Sequence, residues 1–242
     1  MRFIELAIRN IKEVYRDPLS ISLGVAMPAV LIVLFASLGK KTAIDIFTAN
    51  MLSPAITVFS FGFLTMFSAM LLAKDRQSAL LARLLTTPLK SSDFILAYIL
   101  PFIPIAILQI TVCFATGALF GIMFNGSVGL AFFVLLLMAV ACIGLGIIMG
   151  SLFTENQVSG VGSMVIVSIS LFGGCWMDLE MVGGVFQGIG YALPFAHAID
   201  ATRDILMGSG FSDIATDFYW VLGYTVIFFV LGILCFGWRT KG

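Results

Sequence analysis

Long apolar stretches separated by short polar segments make up most of the chain. Each has about 20 residues or more, the length that a helix needs to cross the ~30 Å hydrocarbon core of a bilayer. The pattern predicts six transmembrane helices, over residues 19–38, 52–73, 94–120, 129–153, 157–177 and 218–237. Pro101 and Pro104 predict a kinked start of the third, because proline removes a helical hydrogen bond. Residues 155–157 leave only a tight turn before the fifth.

Residues 2–17 have a different pattern, with charged residues at every third or fourth position. At ~100° per residue these positions share one face of a helix, opposite an apolar face. We expect an amphipathic interfacial helix in the headgroup layer, with its basic face toward water. The charged positions are Arg2, Glu5, Arg9, Lys12 and Arg16. The alternative, a surface helix of a soluble protein, is disfavoured because a predicted span follows immediately.

The segment between the last two predicted spans, residues 178–217, is long and largely apolar. It contains two pieces, 181–193 and 195–207, separated at Pro194. Each would be ~20 Å long as a helix, too short to cross the membrane. We therefore expect a re-entrant helical hairpin over 178–208 that enters the outer leaflet and returns. An amphipathic external loop is the alternative.

Composition supports an all-α integral membrane protein with a single transmembrane domain over residues 1–242. Apolar residues make up 60% of the chain and charged residues 11%, whereas soluble domains are about half apolar and a quarter charged. This excludes a soluble enzyme, a nucleic-acid binder and a disordered chain. The formal net charge of zero gives no indication of a polyanionic partner.

Lysine and arginine fall mostly on one side of the predicted membrane. One side holds Arg2, Arg9, Lys12, Arg16, Lys74, Arg76, Arg83, Lys90, Arg239 and Lys241. The other side holds Lys40, Lys41 and Arg203. Because cytoplasmic loops carry the excess of Lys and Arg, both termini are predicted to be cytoplasmic.

The predicted spans lack the chemistry of a pump or an enzyme. No ionisable residue lies inside them, although ion-coupled carriers usually need one there. The chain has no P-loop for ATP and no Cys or His spacing typical of a metal site. The single histidine, His197, is interpreted as a structural hydrogen-bonding residue. We predict no catalytic, cofactor-binding or metal-binding residue, and any energy source must come from a partner.

Two further patterns concern packing and docking. Glycines four residues apart predict close helix packing at Gly117/Gly121, Gly146/Gly150 and Gly184/Gly188. Residues 79–88 read as a short leucine-rich cytoplasmic helix that Pro88 ends. Its leucines either lie against the membrane or fill a groove on another protein.

The run Leu81-Ala82-Arg83-Leu84-Leu85-Thr86-Thr87-Pro88-Leu89 resembles the cytoplasmic signature of type-2 ABC transporter permeases, the class that includes drug and polysaccharide exporters. Arg9-Asn10 and Arg16-Asp17-Pro18 near the start resemble the same family, as does the segment 193–203 with Gly208 after it. The chain departs from the pattern at Ala82, where the family often has a glutamate.

The resemblance implies a half-channel without an ATP site in the membrane of a bacterial cell. A separate ATP-binding subunit would hold ATP and Mg²⁺, and a second copy or a sister permease would complete the channel. Closure of the ATP-binding subunits would push on a coupling helix at 79–88 and on the interfacial helix, which carries Arg9, Lys12 and Arg16. The coupling residues are expected to be Arg76, Leu81, Arg83, Leu84, Leu85, Thr86, Thr87 and Pro88.

The same resemblance implies an external gate formed by Pro194, Asp200 and Arg203. The uncharged, phenylalanine-rich interior, with 23 Phe in the chain, favours an amphiphilic or lipid-like cargo over a small ion. Two alternatives from other classes stay open. One is a nucleotide-independent channel or carrier, and the other is a membrane immunity or scaffold protein. Copurification with an ATPase would separate the first interpretation from both.

Overall fold

A computed structural model of the chain describes residues 2–42, 47–77 and 91–241, and all the secondary structure in these ranges is helical. The helices are α1 (Arg2–Tyr15), α2 (Pro18–Thr42), α3 (Ala49–Gln77), α4 (Ser91–Ile99), α5 (Ile103–Leu119), α6 (Val128–Leu152), α7 (Glu155–Phe172), α8 (Leu179–Val182), α9 (Gly184–Ala192), α10 (Pro194–Met207) and α11 (Ala215–Lys241). A 3₁₀ turn, Leu100–Phe102, joins α4 to α5. The all-helical prediction is confirmed.

Four helical stretches within the described ranges are long and apolar enough to cross a membrane. They are Ala49–Gln77, Ser92–Leu119, Val128–Leu152 and Ala215–Trp238. They coincide with the second, third, fourth and sixth predicted spans. Helices α2 and α7 lie where the first and fifth are predicted, so the count of six spans stays a prediction.

The bounds of the fifth predicted span need correction, and the third span has the predicted interruption. Helix α7 begins at Glu155, because Thr154 and Gln157 form a capping box and the expected tight turn becomes the first helical turn. It ends at Phe172, where the prediction placed the end at residue 177. In the third span, the 3₁₀ turn at Pro101 interrupts the helix as the proline pattern predicts.

Helix α3 lies at the centre of the fold and packs against α2, α5, α6, α7 and α10. Its contact with α6 is close enough for side-chain hydroxyls to reach the backbone of the neighbouring helix. Thr65 Oγ1 donates to the carbonyl oxygen of Cys142 at 2.9 Å, and Ser68 Oγ donates to that of Ile143 at 3.4 Å. A β-carbon on Gly146 would lie 2.0 Å from Ser68 Oγ and 2.3 Å from the carbonyl oxygen of Thr65, and because this backbone oxygen cannot rotate away, only glycine fits there.

The predicted glycine pairs differ in what they contact. Besides Gly146, a β-carbon on Gly150 would lie 2.6 Å from the carbonyl oxygen of Ala69 in α3, so this pair packs as expected. β-Carbons on Gly184 and Gly188 would meet no described atom within 4 Å. The packing prediction is therefore wrong for the pair in α9.

Residues 178–208 form three short helices, α8 to α10, where the sequence predicts two. Gly183 divides the first predicted piece, 181–193, because its φ of +67° favours glycine and interrupts the helix. The second piece, predicted over 195–207, begins one residue earlier, because Pro194 lies in the first turn of α10, where the missing N–H of proline has no helical partner to lose. Helix α10 packs against α3, α6 and α11.

Candidate functional site

A cluster of polar side chains joins α1 to the C-terminal end of α3 and to α4. Arg9 Nη2 donates to Asp75 Oδ1 at 2.9 Å, and Arg9 Nη1 contacts Asp75 Oδ2. Tyr98 Oη donates to Asp75 Oδ2 at 2.7 Å. Asn10 Nδ2 donates to the carbonyl oxygen of Ala97 at 3.1 Å. We call Arg9, Asn10, Asp75 and Tyr98 the α1–α3 junction.

The charges of the junction are unequally exposed. The Asp75 side chain is 3% exposed and that of Arg9 35%. Burial alone would lower the pKa of Arg9, but the hydrogen bond and the negative charge of Asp75 outweigh burial and raise this pKa. The guanidinium therefore stays charged, in a two-contact pair of the kind that fixes geometry as well as energy.

The junction corrects the prediction that Arg9 faces water. Its guanidinium turns toward Asp75, 66 residues away, whereas Lys12 and Arg16 are exposed as expected. The apolar residues that α1 exposes include Ile4, Ile8 and Tyr15. Sequence analysis missed Asp75 because the surrounding charged run is typical of a hydrated loop. The available signal was the Arg9-Asn10 pair, which the family resemblance singles out.

Most of the predicted coupling residues lie outside the described residues, namely Leu81, Arg83, Leu84, Leu85, Thr86, Thr87 and Pro88. Arg76 is described, and its Nη1 donates to the carbonyl oxygen of Gly150 at 2.7 Å, near the C-terminal end of α6. Arg76 therefore holds α3 to α6 at the end of α3 from which residues 78–90 follow.

A second polar cluster lies at the opposite end of α3. Arg203 Nη1 lies 3.3 Å from Asp200 Oδ1, one turn earlier in α10. Arg203 also donates to the carbonyl oxygen of Met51 at 3.1 Å and to that of Gly174 at 3.4 Å. This one side chain ties α10 to the start of α3 and to the loop after α7. The third predicted gate residue, Pro194, is buried at the start of α10.

His197 belongs to the same end of the molecule. Its Nδ1 lies 2.6 Å from Asp217 Oδ1, and its Nε2 lies 2.9 Å from the carbonyl oxygen of Tyr191. A carboxylate and a carbonyl oxygen both accept hydrogen bonds, so this arrangement favours a ring in which both nitrogens carry a proton. Burial lowers the pKa of His197, but these hydrogen bonds and the charge of Asp217 outweigh burial and raise it. The ring also stacks on Trp220, and the structural interpretation of His197 holds.

Helix α7 exposes one face that no other described helix covers. Its exposed residues include Ser159, Gly160, Ser163, Met164 and Val167. The Ser163 hydroxyl donates to the carbonyl oxygen of Ser159 within the helix at 2.8 Å. A face with serines at one end and exposed apolar side chains at the other is typical of a helix that packs against protein or lines a water-filled space in the membrane.

The described residues offer no metal-binding arrangement: no group of three or more His, Cys, Asp or Glu side chains could hold an ion. All four cysteines are free thiols, and Cys113, Cys142 and Cys175 are buried. They pack as small apolar side chains.

Comparison with known proteins gives a match to the family model described as "ABC-2 type transporter", over residues 1–207. The chain is 26% identical, over 152 residues or 62% of its length, to the "Probable multidrug ABC transporter permease YbhR" of Escherichia coli strain K12. The protein of the same name from Escherichia coli O157:H7 gives the same identity and coverage. The match covers 41% of the length of these relatives.

Proposed function

The chain belongs to the ABC-2 type transporter family, and from this premise we propose that it is the permease subunit of an ATP-driven exporter. The cargo would be amphiphilic or hydrophobic, such as a drug, an antibiotic, a lipid or a peptide-like molecule. A separate ABC ATP-binding subunit would hold ATP and Mg²⁺, and this chain would supply helices and no catalytic group. The word "multidrug" in the name of the relatives supports this class of cargo.

The α1–α3 junction is the observation that carries the proposal. The coupling helix proposed at 79–88 follows α3 with a single residue between them, and Asp75 lies two residues before the end of α3. Because Asp75 is bonded to Arg9 and Tyr98, a force applied to the coupling helix reaches α1, α3 and α4 together. Arg76 extends this connection to α6. A docked ATPase could therefore move several helices through one contact.

The proposed half-channel pairs with a second copy of this chain or with a sister permease. The exposed face of α7 supports this pairing, because exposed serines at membrane depth are better covered by protein or water than by lipid. We place the substrate path beside this face. At the other end of the path, Asp200 and Arg203 would hold the gate closed through the contacts of Arg203 with Met51 and Gly174.

In the proposed membrane arrangement, six helices cross a bacterial inner membrane and both termini are cytoplasmic. Helices α2 and α7 complete the six, α1 lies among the lipid headgroups, and α8 to α10 form the re-entrant segment. The exposed isoleucines of α1 support the placement of α1 among the lipid headgroups. The 14 residues of α10 span ~21 Å, which is too short to cross.

Cysteine labelling tests this topology. In a background without native cysteines, Ser209→Cys and Asp213→Cys should react with a membrane-impermeant thiol reagent added outside the cell. Gln77→Cys is the control, because Gln77 is exposed at the C-terminal end of α3, which the proposed topology places in the cytoplasm. It should react only after the membrane is opened. Labelling of Ser209→Cys from the cytoplasmic side alone would require a different topology.

Copurification tests the function itself. The tagged chain should bring an ABC ATP-binding subunit with it from native membranes, and the double variant Leu84→Asp/Leu85→Asp should lose that subunit while inserting normally. Gln77→Asp, which adds a charge at a nearby exposed position, should retain it. An ATPase recovered at normal yield with the double variant would refute the coupling helix. Recovery of none with the unaltered chain would favour the channel or scaffold alternatives.

A further inference from the structure

A series of polar contacts connects α11 to the proposed gate through His197, the single histidine of the chain. His197 Nδ1 lies 2.6 Å from Asp217 Oδ1 in α11, and His197 Nε2 lies 2.9 Å from the carbonyl oxygen of Tyr191 near the end of α9. The hydroxyl group of Tyr191 donates to Asp200 Oδ2 at 3.1 Å. Asp200 Oδ1 in turn pairs with Arg203. Tyr191 is therefore held by His197 through its carbonyl group and by the gate residue Asp200 through its hydroxyl group.

The protonation state of His197 decides how many of these contacts form. The ionised carboxylate of Asp217 and the carbonyl oxygen of Tyr191 only accept hydrogen bonds, so the two contacts together need a proton on each ring nitrogen. A neutral ring has a single N–H, and its bond to the charged acceptor Asp217 is the stronger one. The contact that a neutral ring loses is therefore the one between Nε2 and Tyr191. The side chain of His197 is 8% exposed, so water has little access to replace the missing donor.

The charges around the ring are mostly negative. Helix α10 packs against α3, α6, α7, α9 and α11. Of these, α6 and α9 carry no charged residue, and the charged residues of α3 and α7 lie at the opposite end of the molecule. The charged residues at the His197 end of α10, of α11 and of the loop between them are Asp200, Arg203, Asp204, Asp213 and Asp217. Although burial lowers the pKa of His197, its hydrogen bonds and the charges of Asp217 and Asp200 outweigh burial and raise it.

We infer that His197 makes the proposed gate respond to the pH at its own end of the protein: the protonated ring holds Tyr191 in place and keeps the gate closed, whereas the neutral ring releases Tyr191 and loosens the gate. His197 acts through Tyr191 and is therefore a positioning residue. The inference rests on the proposed function, because it names the regulation of the proposed gate.

Release of Tyr191 reaches the gate through the same side chain. A neutral Nε2 and the carbonyl oxygen are two acceptors that repel each other, and a shift of Tyr191 away from the ring withdraws its hydroxyl group from Asp200. Asp200 and Arg203 then lose a contact that fixes their position. Tyr224 still donates to the carbonyl oxygen of Ala192, so the change is a local shift at the end of α9 and not the detachment of the helix.

The native Cys175 reports the state of the gate. It is buried, and it follows Gly174, whose carbonyl oxygen accepts from Arg203. In a chain whose other three cysteines are replaced by alanine, purified in lipid nanodiscs without an ATPase, alkylation of Cys175 requires these contacts to open. The rate is measured from pH 6 to pH 9 with His197 unaltered and in His197→Gln. Ionisation of the thiol at each pH is common to both chains and cancels in the ratio of the two rates.

The expected result is a ratio that changes with pH. Glutamine carries no charge and cannot donate from two opposite edges, so His197→Gln imitates the neutral ring at every pH. The unaltered chain should be alkylated about fivefold more slowly than His197→Gln at pH 6, the effect expected of one hydrogen bond, and at the same rate at pH 9. A ratio that is the same at pH 6 and pH 9 would overturn the inference.

A control reporter separates the gate from the rest of that end of the protein. Ser212→Cys, as the only cysteine, is exposed in the loop after α10 and is covered by no gate contact. Its ratio should stay near one at every pH. A ratio that changes with pH here as well would show a general change of the external end and would also overturn the inference.

Asp217→Asn tests the charge on the ring by a different route. It removes the carboxylate that favours the protonated ring, although the asparagine carbonyl still accepts from Nδ1. At intermediate pH this variant should therefore be alkylated at Cys175 faster than the unaltered chain, and the two rates should converge at pH 9, where both rings are neutral. A difference of the same size at every pH would indicate a purely structural role and would overturn the inference. This comparison stands even where His197→Gln fails to fold.

The outcome is separate from that of the proposed function. The alkylation assay uses the purified chain without an ATP-binding subunit, so loss of copurification leaves its result unchanged. Conversely, a ratio independent of pH would remove the pH response while the permease assignment stood.

Discussion

Removing Arg9 should destabilise the protein more than neutralising its partner Asp75. Arg9→Ala leaves a carboxylate that is 3% exposed without its guanidinium. Asp75→Asn leaves a guanidinium whose side chain is 35% exposed and can reach water. The asparagine can also still accept from Tyr98, so this variant keeps part of the junction. The asymmetry follows from the different burial of the two charges.

The size of the effect follows from the same exposures. Removing one partner of a buried ion pair costs ~3–5 kcal/mol, and partial exposure of Arg9 places Arg9→Ala near the lower value. We expect ~3 kcal/mol for Arg9→Ala and ~1–2 kcal/mol for Asp75→Asn. In a chain of this length ~1 kcal/mol shifts the unfolding midpoint by ~2–4 °C, so Arg9→Ala should lower it by ~6–12 °C.

The buried cysteines provide the assay. Cys113, Cys142 and Cys175 react with a thiol-activated fluorophore only as the helices separate on heating, and Cys235→Ser removes the more exposed thiol. The double variant Arg9→Ala/Asp75→Asn should lose less stability than the sum of the single variants, because both remove one interaction. Lys12→Ala, at an exposed position on the same helix, is the control and should stay within ~0.5 kcal/mol of the unaltered chain.

Two outcomes would refute this reasoning. Equal midpoints for Arg9→Ala and Lys12→Ala would show that the pair contributes no stability. A lower unfolding midpoint for Asp75→Asn than for Arg9→Ala would show that the protein loses more stability when the guanidinium loses its partner than when the carboxylate does.

Three further predictions concern the proposed gate, the helix packing and pH. Arg203→Ala should reduce export in proteoliposomes more than Asp200→Ala, because Arg203 also holds two carbonyl oxygens. The double variant should be no worse than Arg203→Ala. Near-normal export in both single variants would show that the pair is only surface charge. Gly146→Ala should abolish the yield of folded protein because its β-carbon would lie 2.3 Å from the backbone carbonyl oxygen of Thr65. Gly160→Ala, with no atom of the described residues within 4 Å, should fold normally, and equal yields would contradict the packing argument. Because the folded protein raises the pKa of His197, this residue stabilises the fold below its ordinary pKa of ~6.5 and loses that effect as pH rises through the raised pKa. The unfolding midpoint should therefore fall from pH 6 to pH 9 and fall less in His197→Gln, and an identical pH profile would refute the charged ring.

The long helices could be predicted because a bilayer requires apolar side chains over a fixed length. Their ends were less predictable, since α7 stops at Phe172 although apolar residues continue. The division of residues 178–208 into three helices depends on the positive φ of Gly183, which the sequence cannot distinguish from an ordinary helical glycine. Pro194 carried a clearer signal, because proline both ends one helix and begins the next.

Polar contacts were predictable only where the partners are near in sequence. Asp200 and Arg203 are one turn apart on the same helix, so their proximity follows from helical geometry. Asp75 and Arg9 meet only because α1 folds back over the end of α3, which no local pattern reports. The buried Gln109 donates to the carbonyl oxygen of Gly24, 85 residues away, and this contact between α5 and α2 could not be predicted from a local pattern.

The two polar clusters hold opposite ends of the same helix, α3. Arg203 binds the carbonyl oxygen of Met51, and Arg9 binds Asp75, 24 residues further along α3, which is ~36 Å along the helix axis. If α3 pivots as a lever arm about one end by about 5°, its other end sweeps an arc of ~3 Å. That is about the whole length of the bonds of Arg203 to Met51, which are 3.1 and 3.3 Å. A small angular displacement at the Arg9 end is thus sufficient to release Arg203 at the far end, with no separate signal passing between the two arginines.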